Sequence, residues 1–131
     1  EFLANFGTQI ESSQFENLRI SLGYPKFGNE LTEDFNPLEA LLIDHISFNK
    51  GCYIGQEVVA RLNTYDKVQR QLVQISSNHP IGIGEIEFEG KTVGIITSAM
   101  QNNGIAYVNK KILNKTTQVQ YGSLDVEIHP I

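Results

Sequence analysis

Near Asp66 the hydrophobic period of this chain changes from helical to two, and that change limits the folds open to it. Upstream, Phe15, Leu18 and Leu22 recur on one helical face, and Gly23 supplies a stop. Downstream, Val73 and Ile75 alternate with Gln74 and Ser76, as in a half-buried strand. Residues 85–88 and 91–95 flank Glu89-Gly90, a tight hairpin turn. Asn102-Asn103-Gly104 separates a strand over 95–100 from one over 105–108, and Gly122-Ser123 joins 118–121 to 124–128. Short strands at this spacing predict a small barrel or sandwich from about residue 68 onward.

The upstream half is also punctuated by turns. Tyr24-Pro25 to Asn36-Pro37 carries breakers, with Pro37 placed to open a short helix over 38–43. A second helix is predicted from Ile54, Val58, Leu62 and Tyr65, which follow i, i+4, i+8, i+11 spacing. At 131 residues and 40% hydrophobic, the chain can bury a modest core. Its net charge of −5 argues against broad attachment to nucleic acid through phosphate neutralisation, though it leaves room for a local basic patch. One cysteine makes no internal disulfide, and no Cys/His cluster has zinc spacing, so no metal site is expected. No apolar run reaches the roughly 18 residues of a membrane span. The chain opens on Glu1 in mid-pattern and reads as a piece or processed product, so a missing targeting peptide says little.

The sole cysteine falls in Lys50-Gly51-Cys52-Tyr53-Ile54-Gly55-Gln56-Glu57, at or just before the first turn of the second helix. Unpaired N–H groups at a helix start, with Lys50 as a nearby cation, would stabilise a thiolate. Context alone fits a small buried hydrophobe equally well. Gln56 and Glu57 suit a first helical turn, and Glu57 and Arg61 are an i, i+4 pair, so helix support is their plain reading. His45, His79 and His129 are dispersed, the last two before prolines in expected loops, and read as surface residues. Tyr53, Tyr65 and Tyr107 could stack on a flat heterocycle such as a base, although such aromatics more often fill cores.

The octapeptide closely resembles the signature of the YgfZ family, folate-binding proteins implicated in iron–sulfur enzyme maintenance and tRNA modification. The resemblance extends through Leu18-Arg19-Ile20, Gly23, Pro25, Gly28, Glu30-Leu31, Pro37-Leu38-Glu39-Ala40 and the block from Val93 to Ser98. These blocks look like the second half of a wider family that includes the glycine cleavage T-protein, an aminomethyltransferase. Cys52 tilts the choice to YgfZ, since T-proteins generally lack a cysteine there. The resemblance implies an α+β fold: residues 1–67 as the C-terminal part of a T-protein-like folate-binding region with the motif helix, and 68–131 as an antiparallel β-barrel. It implies Cys52 as a functional thiol, with Lys50, Gly51, Tyr53, Gly55, Gln56 and Glu57 as motif residues.

It also carries a folate-binding role onto Arg19, whose planar donors suit the carboxylate tail or pterin acceptors of tetrahydrofolate or a derivative. Here Ser21-Leu22 replaces the more usual Glu-Ala of T-proteins. Arg19 is expected to line a concave surface; its plain alternative is a solvated arginine. Implied partners are folate and iron–sulfur client or assembly proteins, with direct tRNA contact open and no membrane. The implied compartment is the bacterial cytoplasm, or the mitochondrial matrix in a eukaryote. The alternative is a tetrahydrofolate-dependent aminomethyltransferase whose catalytic acid lies outside this chain. A third is a scaffold whose barrel packs against other parts of the protein.

Overall fold

A computed structural model describes residues 7–64 and 68–131. Strands β1 (Arg70–Ser77), β2 (Gly84–Phe88), β3 (Lys91–Met100), β4 (Asn103–Asn109), β5 (Gln118–Tyr121) and β6 (Leu124–Pro130) close into a barrel. The order around it is β1-β4-β3-β2-β5-β6, antiparallel at every seam, with β1 pairing β6 to complete the circle. The period-two reading therefore becomes an α+β fold ending in a closed six-stranded barrel. Its interior is filled by alternate residues, among them Val73, Ile75, Ile86, Ile96, Val108 and Val126. Each such side chain contributes about 1.5–3 kcal/mol of burial.

The expected 91–95 and 95–100 strands are one continuous β3 with a register shift between Ile96 and Ser98. Gly94 permits that strand to lie tight on its neighbour, because a Cβ there would run into the Tyr107 carbonyl oxygen. A short helix, α3 (Lys110–Leu113), follows β4 where the sequence predicted none; Asn109 caps it by accepting from the Lys111 N–H. His129 lies in β6, with its Nε2 2.7 Å from the Ser76 hydroxyl, rather than in a loop. Like His45 and His79, it is exposed.

Helix α1 (Ser12–Leu22) appears where the spacing placed it and ends at Gly23, whose N–H donates to the Ile20 carbonyl. The expected helix over 38–43 does not form. Turns and a 3-10 turn (Ile43–His45) take its place, with Leu41 at φ 61°. Tertiary bonds replace helical ones: the Leu72 N–H donates to the Glu39 carbonyl at 2.8 Å, and Arg70 grips the Glu39 carboxylate. Helix α2 (Gln56–Thr64) completes the set. Asp66 and Tyr65 lie outside the described residues.

A second core lies on the outer face of β1 and β4, where Ile20, Ala40, Leu72, Ile105 and Tyr107 pack together. Strand β4 is consequently buried on both faces. This second core fixes α1 and the turn-rich segment against the barrel.

Candidate functional site

Arg19 is only 6% exposed, which is unusual for arginine. It points inward because its partners do. Its Nε and one terminal nitrogen donate to Glu16 Oε2, and that same nitrogen donates to Ser98 Oγ at 2.8 Å. The other terminal nitrogen donates to the Tyr24 carbonyl at 2.7 Å and to Glu30 Oε2 at 3.0 Å. A guanidinium carries five N–H donors. Each has an acceptor within this chain.

Glu30, fully buried, is the counter-charge. One carboxylate oxygen accepts from the Thr97 and Ser98 hydroxyls, both at 2.6 Å, and the other accepts from the Lys26 N–H at 2.9 Å as well as from Arg19. The Glu30 carbonyl accepts from the Tyr107 hydroxyl, and the Asn29 amide donates to Ser98 Oγ. Buried charge persists only when paired and hydrogen-bonded in this way. Burial, followed by the Glu30 and Glu39 charges, holds the Tyr107 hydroxyl well above the ordinary phenol range. Hydrogen bonds from Arg19 and then Lys26 hold the Glu16 carboxyl below its usual range.

Sequence reasoning does not single out Glu30 or Thr97, although both fall with Ser98 within the blocks that carry the resemblance, and it weighs Tyr107 only as a stacking or core aromatic; Tyr107 is buried in the second core. A carboxylate among turn residues offers no local sign that a strand nearly seventy positions away will enclose it. The network thus gathers three of those blocks at one place: the Arg19 helix, the Gly28–Glu30 turn and the Thr97–Ser98 strand.

The octapeptide lies elsewhere. Cys52 is exposed and belongs to neither hydrophobic core among the described residues. It stands in an irregular segment and α2 begins only at Gln56, so the thiol lies outside the first helical turn, where the dipole is felt most. The Lys50 ammonium sits 5.3 Å from the centre of the Tyr53 ring. The Gln56 side chain reaches the Lys50 carbonyl at 3.5 Å. Gly55 turns the chain into the helix at φ 83°, a conformation that favours glycine. Glu57 occupies the first turn of α2, and no ion pair joins it to Arg61 among the described residues.

The predicted α2 stripe is not what packs. Val59 is buried, whereas Ile54 and Val58 are exposed; the side chain of Leu62 and all of Tyr65 lie outside the described residues. Ile54 and Val58 instead border a cleft of about 1150 Å³ between the motif segment, the 32–39 loop, the start of β1 and the β2–β3 hairpin. Phe35 stacks on Tyr107 in its wall with centroids 3.9 Å apart, and Arg70 lies over Phe35. The Tyr53 hydroxyl is buried beside it without a hydrogen-bond partner among the described residues. Cys52 does not line this cleft, and neither does Arg19. Among the described residues no His, Cys, Asp and Glu gather into a metal-binding group, and no helix is long and apolar enough to cross a membrane.

No family model matches the chain. Individual proteins do. It is 38% identical, over 92% of its length, to a chloroplastic protein of Arabidopsis thaliana whose name assigns it provisionally to the transferases. It is 29% identical, over 80%, to an aminomethyltransferase of Caldanaerobacter subterraneus. With a tRNA-modifying protein YgfZ of Buchnera aphidicola it shares 30% identity over 83% of its length. The resemblance read from the octapeptide and its flanking blocks is thus matched by similarity to both YgfZ proteins and aminomethyltransferases over most of the chain. The chain spans only 29–37% of the length of these three relatives.

Proposed function

We propose that this chain, similar to YgfZ proteins and aminomethyltransferases, is the barrel-bearing part of a folate-binding accessory protein that supports iron–sulfur enzymes. Residues 1–67 complete the folate-binding region and 68–131 form the barrel domain. Cys52 is the functional thiol, presented by Lys50, Gly51, Tyr53, Gly55, Gln56 and Glu57. The observation that carries this reading is the exposure of Cys52 within the octapeptide, since a reactive or partner-facing thiol must meet solvent. One cysteine alone does not hold an iron–sulfur cluster, which needs about four ligands.

For tetrahydrofolate or a derivative, Arg19 acts by positioning. With its five donors engaged internally, it offers none to a pterin or carboxylate. It holds α1 and the 24–30 turn on the barrel, and the folate contacts come mainly from the larger part of such proteins that this chain does not span. The compartment is the bacterial cytoplasm or a eukaryotic organelle, the mitochondrial matrix being the first expectation. The aminomethyltransferase reading stands second, on the similarity to enzymes of that name. Direct tRNA contact draws no support from the residues described.

Replacing Cys52 with Ser in the full-length protein tests the first reading. The variant should fold and bind folate as the parent does, yet fail to restore iron–sulfur enzyme activity in cells lacking the protein. Full restoration would return the chain to the scaffold or transferase readings. For Arg19, the Arg19→Lys variant keeps the charge and loses the fork. Positioning requires melting temperature and folate affinity to fall together. A loss of affinity at unchanged stability would make Arg19 a direct ligand.

A further inference from the structure

We infer that the cleft between the motif segment and the barrel is a docking site for a separate protein, one presenting a segment of alternating basic and apolar side chains. Glu33, Asp34 and Glu85 line it, all three exposed and none in an ion pair among the described residues. Glu39 also lines it, but Arg70 neutralises it at 2.9 Å. Between these carboxylates stand exposed apolar side chains, Ile54 and Val58 from the motif side and Ile95 from β3.

An occupant must therefore bring cations and apolar groups together. A polyanion fails on charge: RNA phosphates would meet unpaired carboxylates. Strand addition fails on topology, because the barrel is closed and offers no free edge. Docking must proceed through side chains.

The mixed lining also separates this cleft from the outer face of α1. There Phe15, Leu18 and Leu22 form an unbroken apolar stripe, as permanent interfaces do, and that face suits the rest of the protein's own polypeptide. Carboxylates interleaved with apolar residues call for an occupant of complementary charge, which a basic segment of a second protein supplies.

The test uses the full-length protein and two short fluorescent peptides, one alternating Leu with Lys and one alternating Leu with Glu. Anisotropy should report binding of the Leu/Lys peptide alone. The Asp34→Lys, Glu85→Lys double variant should weaken that binding by about tenfold. A control reversing two acids outside the cleft, Glu87→Lys with Glu127→Lys, should leave it unchanged, and melting curves should show both variants folded. Equal binding of the two peptides, or equal weakening by the control, would reduce the effect to net charge and overturn the proposal. No binding to the full-length protein would mean that its own chain fills the cleft. Direct binding of a labelled tRNA transcript that the Asp34→Lys, Glu85→Lys variant changes and the control does not would make the occupant RNA. Either result also overturns it.

Discussion

The barrel and helix α1 follow opposite rules of burial. In the barrel, alternate apolar residues point inward and charged ones such as Glu85, Glu87 and Glu127 point out. On α1 the arginine is inside and the apolar stripe outside: Arg19 is 6% exposed, whereas Phe15, Leu18 and Leu22 are each more than half exposed. The barrel satisfies itself, closing its own edges and filling its own interior. Helix α1 is held to it by one isoleucine, an ionic network and the Gln74 amide, which donates to the Ile20 and Ser21 carbonyls, and it presents its apolar face outward. An exposed apolar stripe of this kind is an interface in waiting.

The largest expected effect tests whether the network is what holds the two regions together. Glu30→Ala takes from Arg19 its fully buried counter-charge and leaves it only the less buried Glu16, and should cost about 3–5 kcal/mol in chemical denaturation. A loss no larger than that of a surface substitution would mean that the second hydrophobic core suffices. Next comes the barrel interior, where Ile96→Val should cost about 0.5–1.5 kcal/mol by the same measurement. If this exceeded the Glu30 effect, the ionic network would be the minor bond between the regions.

Smaller again is the outward stripe. Leu18→Ser should shift the stability of this chain by no more than about 0.5 kcal/mol in urea denaturation. In the full-length protein the same change should destabilise markedly if the rest of the polypeptide packs on the stripe. Equal, small effects in both settings would leave α1 as plain surface.

The smallest effect concerns pH. Glu16 has its folded pKa held below the ordinary 4.5 by Arg19 and Lys26. Its contribution is therefore present above the unfolded value and is lost as pH falls through the folded one. Urea midpoints measured across this acid range should fall less steeply for Glu16→Gln than for the parent. An identical slope would remove Glu16 from the network's energetics.

Strands, hairpin turns and α1 were legible because their signals are local. Period-two alternation, Glu89-Gly90 and Gly122-Ser123 act within a few residues and need no distant partner. Reading failed where a distant group competed with local propensity. The segment after Pro37 has a helical start signal, yet β1 claims its Glu39 carbonyl and carboxylate and unwinds it. The α2 spacing names Ile54 and Val58 as core, but among the described side chains of that segment Val59 is the one that is buried, and the motif cysteine stands outside the helix altogether.

The chain's own sequence determined that a barrel would follow a helical segment, and that a single cysteine would sit in a recognisable octapeptide. Only the tertiary structure decided that Arg19 faces inward, that Glu30 is its partner, and that Cys52 is exposed. Helical spacing tells which residues share a face, but not which face is covered. Arg19 and Ser98 lie 79 positions apart, and Glu30 and Thr97 lie 67 apart. Barrel closure brings them within hydrogen-bonding reach, and the cost of leaving a buried charge unpaired then fixes the orientation of α1.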